Sequence, residues 1–498
     1  MTISPVFAFQ RGNRIHQQAT HKSRDRIITY AVGLVWFAYV VYSLSRHSMF
    51  RDELNAWQIA KNATSIIDIF SIARYDGRPP TYYLLLRALA QLYKSPEGIK
   101  LISILCAGCS AFVVLRKFRM PLYLRMLFLF SFPFSGTYFV FVREYSLIVT
   151  LLALLGWIIS EDKIGSLLGS LTIGVLMLVN LFGLLMGVSL ALYMVLETRP
   201  KTRSIFLNRK LLLLVPLAGL SAALMVSPSD SFNTGSQLGE TRSEILRRFV
   251  YKFVETIFPL NLQNGYENLT ITKLTVLLFI AGAIMISAIG FFFWRTSKAM
   301  FATFVLYSSL FFGNVAFGYA WYWWHFGMYQ AFVVLLAVVC IGRYGFISFL
   351  KPSLISSGLL TLVFLLICVM GTFLSPAKVM FSSQEFSNAK NAANAILGEC
   401  QEKECFISSS DQAIGVPLAG YLNKPIYFLD KGHIGSFFDW RKQIQDDDPI
   451  TELESISKGS SSVLLASSVP LSEDTRLEFI AEYSGAVWEN YWIYRLVK

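Results

Sequence analysis

The chain has 498 residues, 54% of them hydrophobic and 15% charged, with a mean hydropathy of +0.51. A soluble protein carries about 25% charged residues, so the long charge-free runs place this chain among polytopic α-helical membrane proteins. Its net charge of +12 comes from basic residues in short loops between apolar runs; that is a topology signal, and no basic tract with interleaved aromatics suggests nucleic acid.

Residues 1–27 carry Arg11, Arg14, Lys22, Arg24 and Arg26 against Asp25, which marks a cytoplasmic basic tail. No small-residue cleavage site follows, so the tail is not a cleavable signal peptide. A first span is expected over 28–45. The loop after it, 46–98, is therefore external and holds Arg51, Asp52, Glu53, Arg74, Asp76, Arg78 and Arg87. Charge beside a bilayer is costly, so this cluster is the candidate functional site. The apolar run Thr81–Tyr93 is short and has Arg87 in its middle, which predicts a juxtamembrane helix and not a span.

Further spans are expected at 99–115, 122–141 and 145–160, with Arg143-Glu144-Tyr145 at the external turn between the last two. Leu167–Leu196 is expected to form two short spans turning near Asn180, followed by a span at 211–226. The second large external loop, 227–270, contains an amphipathic segment. Its apolar residues Ile245, Leu246, Phe249, Val250, Phe253, Val254 and Ile257 recur at helical spacing, with Arg247, Arg248 and Lys252 opposite. Spans at 271–294, 299–318, 326–342 and 353–374 bring the expected total to eleven. The aromatic turn ending at His325 fits an interfacial belt.

The transmembrane domain is thus expected over 28–375, and 376–498 as a small extracytoplasmic α/β domain. In that domain Glu385–Leu397 reads as a helix, and Cys405–Ser408, Pro425–Leu429, Ser461–Leu465 and Tyr491–Val497 as strands. Cys400 and Cys405 could pair outside the cytoplasm. Cys106, Cys109, Cys340 and Cys368 lie in apolar runs and fit packing better than a zinc site.

Transfer from a membrane-anchored phosphate ester to a hydroxyl needs a base for the hydroxyl and cations for the leaving phosphate. Asp52 and Glu53 offer carboxylates just past the first span, although ion pairing with Arg46, Arg51 or Arg78 is the plainer use of such a pair. Arg74 and Arg78 flank Asp76, and the topology brings Arg143 to the same surface. A guanidinium suits that surface because its planar fork pairs with phosphate oxygens bidentately.

Three elements, in order, carry a family resemblance: Arg51-Asp52-Glu53-Leu-Asn-Ala-Trp; Asp76-Gly77-Arg78-Pro79-Pro80-Thr-Tyr82-Tyr83-Leu-Leu-Leu; and Phe141-Val-Arg143-Glu144-Tyr145-Ser-Leu. The chain resembles the GT-C superfamily of integral-membrane glycosyltransferases, of the family 39 type that includes protein O-mannosyltransferases and the lipid A aminoarabinose transferase. The motifs cover residues 28–200, and the remainder agrees by layout only. Relatives often have His or Lys before the prolines; Arg78 stands there, which suits phosphate binding and disfavours proton transfer.

The resemblance implies a polyprenyl-phosphate sugar as donor, an extracytoplasmic glycan, lipid or protein as acceptor, and inversion at the anomeric carbon. It gives Asp52 the role of general base and has Glu53 orient Asp52, the acceptor or a cation. Arg78, with Arg74 and Arg143, would neutralise the departing phosphate. Tyr82, Tyr83 and Tyr145 would line the pocket, or anchor at the interface. Arg247, Arg248 and Lys252 would hold the lipid head group or snorkel from a surface helix, and His325 would reach the pocket or stay in the aromatic belt. No cofactor is required, although Asp52 with Glu53 could hold Mg²⁺ or Mn²⁺. A multi-pass protein of a bacterial inner membrane is the implied setting.

Two other classes stay open. A lipid transporter or flippase would place ionisable or broken sites near span midpoints, where Asn180 and Pro133 are the candidates. A non-catalytic lipid-binding assembly protein would keep the arginines and not need Asp52.

Overall fold

A computed structural model describes residues 5–118, 121–131, 134, 138–197, 205–231, 242–258, 272–317, 323–344, 355–374, 385–400, 405–441, 449–458, 460, 462–471 and 474–497. The chain is a polytopic helical membrane protein with a small α/β domain at its C-terminal end. Helix α1 (Pro5–Arg46) leads into three short helices, α2 (Arg51–Asn62), α3 (Ile66–Tyr75) and α4 (Thr81–Leu92). The bundle continues as α5 (Lys100–Lys117), α6 (Leu122–Leu129), α7 (Tyr145–Ser160), α8 (Leu167–Met177), α9 (Leu181–Glu197) and α10 (Ile205–Met225). It closes with α11 (Arg242–Ile257), α12 (Lys273–Thr296), α13 (Lys298–Phe317), α14 (Trp323–Tyr344) and α15 (Ile355–Leu374).

Among the described residues, five segments are long and apolar enough to cross a bilayer: Asp25–Arg46, Pro96–Lys117, Lys273–Thr296, Lys298–Ala316 and His325–Arg343. The last is the hub. It is apolar all round and 94% buried, as a helix surrounded by others must be. Around it Trp36 Nε1 of α1 donates to the Leu129 carbonyl at 2.9 Å, and Ser110 of α5 bonds Thr150 of α7 at 3.0 Å.

Three expectations are refined. Of the span expected over 122–141, α6 covers Leu122–Leu129, about 12 Å at the α-helical rise; Pro133 lies outside the described residues. The expected pair within 167–196 is present, and Asn180 starts the second helix by accepting from Gly183 N at 3.0 Å. The amphipathic α11 packs against α12, α13 and α14, and its C-terminal half is buried on both faces, Lys252 included.

Arg87 explains its own position. In mid-α4 it donates to the carbonyls of Ala60, Lys61 and Ala63 at 2.8–3.0 Å and so closes the C-terminal end of α2. Those carbonyls have no partner inside their own helix.

The C-terminal domain is a six-stranded sheet in the order β3-β2-β1-β4-β6-β5. Central β1 (Cys405–Ser409) pairs parallel with β2 (Ile426–Phe428) and β4 (Ser462–Ser467). Strands β3 (His433–Gly435), β5 (Leu477–Tyr483) and β6 (Tyr491–Leu496) complete it antiparallel. Helices α16 (Ala389–Cys400), α17 (Gln412–Leu422) and α18 (Pro449–Ile456) accompany it, and Cys400 is disulfide-bonded to Cys405.

This domain sits directly on α2. Gly420 of α17 makes the approach possible, since a Cβ there would lie 3.0–3.3 Å from Leu54. Met49 N donates to Tyr421 Oη at 2.9 Å, Ser48 Oγ to the Ser387 carbonyl at 2.7 Å, and Phe438 N to Asn55 Oδ1 at 2.7 Å. Phe386 meets Phe50 and Phe141 edge-on at 5.0 and 5.3 Å, so an aromatic cluster seals the junction.

Candidate active site

The site forms where the end of α1, the start of α2, the α3–α4 turn and the start of α7 converge. Glu53 is the pin of this arrangement. It is fully buried, and its two oxygens accept from Phe50 N at 3.0 Å and Val142 N at 2.7 Å, with His47 Nε2 at 2.9 Å from both. The Phe50 bond is half of a capping box, the local reason α2 starts here. The Val142 bond ties that helix start to the segment carrying Arg143.

Asp52, one residue earlier, has different surroundings. A quarter of its side chain is exposed, and it pairs with Arg51 Nε at 3.0 Å. With Phe50, Phe141, Arg143 and Tyr145 it lines a cleft. Arg143 is buried, bonds Glu144 through Nε at 3.0 Å and holds the Asp52 carbonyl through Nη1. Its Nη2 is buried and has no hydrogen-bond partner among the described residues.

Arg78 lies 3.6 Å from Asp76 and 3.4 Å from Glu144. Burial opposes its charge, but those two carboxylates outweigh burial and push the guanidinium pKa up, so it stays a cation. Burial pushes the Asp76 carboxyl up, with Arg78 pulling the other way, and Tyr83 Oη donates to it. Tyr82 Oη donates to the Val142 carbonyl at 2.9 Å. Both tyrosines therefore brace the site from behind. Tyr145 lines the cleft itself and bonds His325 Nε2 at 3.1 Å. His325 is buried against Phe182, and through Tyr145 it brings α14 to the same end of the bundle.

Not every expected residue converges. Arg74 is turned away, donating to the Val226 carbonyl at 3.2 Å. Arg247 is exposed on α11, Arg248 is partly buried beside it, and Lys252 is enclosed in the bundle and not on a surface stripe. Asp52 and Glu53 do not fit a shared cation, because both Glu53 oxygens face N–H donors. Among the described residues no group of three or more His, Cys, Asp or Glu side chains is arranged to hold a metal ion.

Sequence reasoning assigned no role to Glu144, His47 or Glu489. Glu144 joins Arg143 to Arg78 and lies 3.4 Å from Asn180 Nδ2. A carboxylate between two arginines of the site is a signal that the Arg143-Glu144-Tyr145 element carried. Glu489 accepts from Arg51 N at 2.7 Å and Ser387 Oγ at 2.6 Å, and burial pushes its carboxyl up to about 7. No local pattern announces a contact 438 positions along the chain.

No family model and no curated protein matches the chain. Among solved structures it is similar to the crystal structure of ArnT from Cupriavidus metallidurans bound to undecaprenyl phosphate. That similarity has 14% sequence identity and a TM-score of 0.48, over 94% of this chain and 97% of that chain.

Proposed function

We propose that this chain is an inverting membrane glycosyltransferase that moves a sugar from a polyprenyl-phosphate donor to a hydroxyl acceptor on the extracytoplasmic side, with Asp52 as general base. One observation carries the reading. Of the four carboxylates gathered at the site, Glu53, Asp76 and Glu144 are buried in hydrogen bonds and ion pairs, while Asp52 faces a cleft beside a buried arginine with a spare donor.

That arrangement suits the chemistry. Asp52 takes the acceptor proton as the acceptor oxygen bonds the anomeric carbon; the bond from that carbon to the phosphate oxygen breaks, and the lipid phosphate leaves with the electron pair. Arg143 Nη2 and Arg78 supply fixed positive charge for the leaving oxygen in a partly desolvated site, where it acts most strongly. Glu53 acts through position, holding the Asp52 helix and the Arg143 segment together. Asp52, Glu53, Asp76, Arg78, Arg143 and Glu144 gather at one end of the bundle, which supports an enzyme over a transporter.

Binding of radiolabelled undecaprenyl phosphate to the nanodisc-embedded protein tests the donor half of the proposal. Arg143→Ala should weaken it by about ten-fold or more, the worth of a charge-assisted bond. Equal binding by wild type and Arg143→Ala would remove the phosphate role.

A further inference from the structure

Beside the cleft, the C-terminal domain carries polar and aromatic groups that the reaction above does not use. They lie at the carboxyl ends of parallel β1 and β2, where open α/β sheets place their ligands. Gln412, the first residue of α17, is completely buried; its Oε1 accepts from Asp439 N at 2.7 Å, while its Nε2 has no hydrogen-bond partner among the described residues. Asp430, just past β2, has Oδ1 buried and likewise without a partner, and so has the indole N–H of Trp440. A fully buried amide donor, a carboxylate oxygen and an indole donor, each buried and without a partner among the described residues of one small domain, are uncommon in a folded protein and point to a ligand.

The aromatic part is Phe438 against Trp440, ring centroids 4.4 Å apart, both partly exposed. Phe438 is fixed by its backbone bond to Asn55 of α2, and Arg51 lies over its ring at 5.9 Å from the centroid. The same Arg51 pairs with Asp52. One side chain thus links the carboxylate in the cleft to the aromatic pair.

We infer that Phe438, Trp440, Gln412 and Asp430 form a saccharide subsite that holds the acceptor next to Asp52. A pyranose has an apolar C–H face and a rim of hydroxyls that both donate and accept. It is matched by an aromatic face together with an amide donor and a carboxylate acceptor. A phosphate or acidic ligand is disfavoured by the carboxylates of Asp411 and Asp430 at the same strand ends, Asp439 being paired with Arg441. The inference rests on the transferase reading for the words "acceptor" and "next to Asp52", and on the domain alone for saccharide binding.

The test uses the full-length protein in nanodiscs with a panel of methyl glycosides (glucoside, galactoside, mannoside and N-acetylglucosaminide), read by saturation-transfer NMR. Wild type and Asp52→Asn should both bind at least one of them. Trp440→Ala should weaken that binding by about ten-fold and Trp440→Phe by less, because a ring remains. If Trp440→Ala does not fold, Phe438→Ala carries the same expectation. Failure of wild type to bind any glycoside, or unchanged binding in the alanine variants, overturns the subsite. Saccharide binding that depends on Trp440, in a protein whose Asp52→Asn variant traps no donor lipid, would keep the subsite and overturn the transferase.

Discussion

Replacing Glu53 with Ala tests whether this carboxylate is a structural pin. The change strands two buried backbone donors, Phe50 N and Val142 N, and leaves His47 without its partner. Each stranded buried donor costs about 1–3 kcal/mol, so with two of them stranded a net loss of about 4 kcal/mol is expected. A domain of 150–250 residues loses about 2–4 °C in Tm per kcal/mol; a chain about twice that long loses half as much, which gives about 4–8 °C here. Glu53→Gln should fall between, since the amide keeps one acceptor but turns an NH₂ toward the second donor. Thermal unfolding in detergent, followed by tryptophan fluorescence, reads both. A Glu53→Ala variant within 1 °C of wild type (roughly the shift of a surface change) would refute the reasoning.

Two further outcomes follow from the same contacts. Glu489 is raised by burial from 4.5 to about 7. A raised carboxyl favours the folded state below its unfolded value, so that stability is lost as pH climbs from about 4.5 to 7 and stays lost above. Comparing chemical unfolding at pH 5 and pH 8 should show wild type weaker at pH 8 by up to about 3 kcal/mol, and Glu489→Gln with a shallower loss; equal pH dependence in the two proteins would contradict this. Arg87→Met keeps the apolar stem but leaves the carbonyls of Ala60, Lys61 and Ala63 without their donor. It should cost about 1–3 kcal/mol and speed proteolysis between α2 and α3, and unchanged digestion would show that water caps the helix equally well.

The apolar helices, the short helix α4 and the turn at Asn180 were legible from hydropathy and length, because crossing a bilayer leaves little freedom. The α/β domain was legible in part. Its apolar strands stood out, whereas β5 and α17 did not, since the burial of each depends on partners far away. The convergence of Asp52, Arg78 and Arg143 followed from their order around the first span. What each carboxylate does within it was not legible: neighbours Asp52 and Glu53 look equivalent in sequence, and only the position of Val142 and His47 decides that one is enclosed and the other faces the cleft. Lys252 shows the same limit. Its helical spacing fits a surface stripe as well as an enclosed face, and packing against α12, α13 and α14 decides for the latter.

The most direct test of the account is mass spectrometry of the lipids that co-purify with wild type and with Asp52→Asn. Asp52 is partly exposed and, among the described residues, Arg51 is its side-chain partner, so the variant should fold as wild type does. Without its base the protein should bind donor and not turn it over, because loss of general-base catalysis costs about 10²–10⁴ in rate and leaves the phosphate contacts in place. The account predicts a polyprenyl-phosphate sugar enriched in the variant, and its mass would name the sugar. Ordinary phospholipids alone in both preparations would contradict the account and return Asp52 to the role of a partner for Arg51.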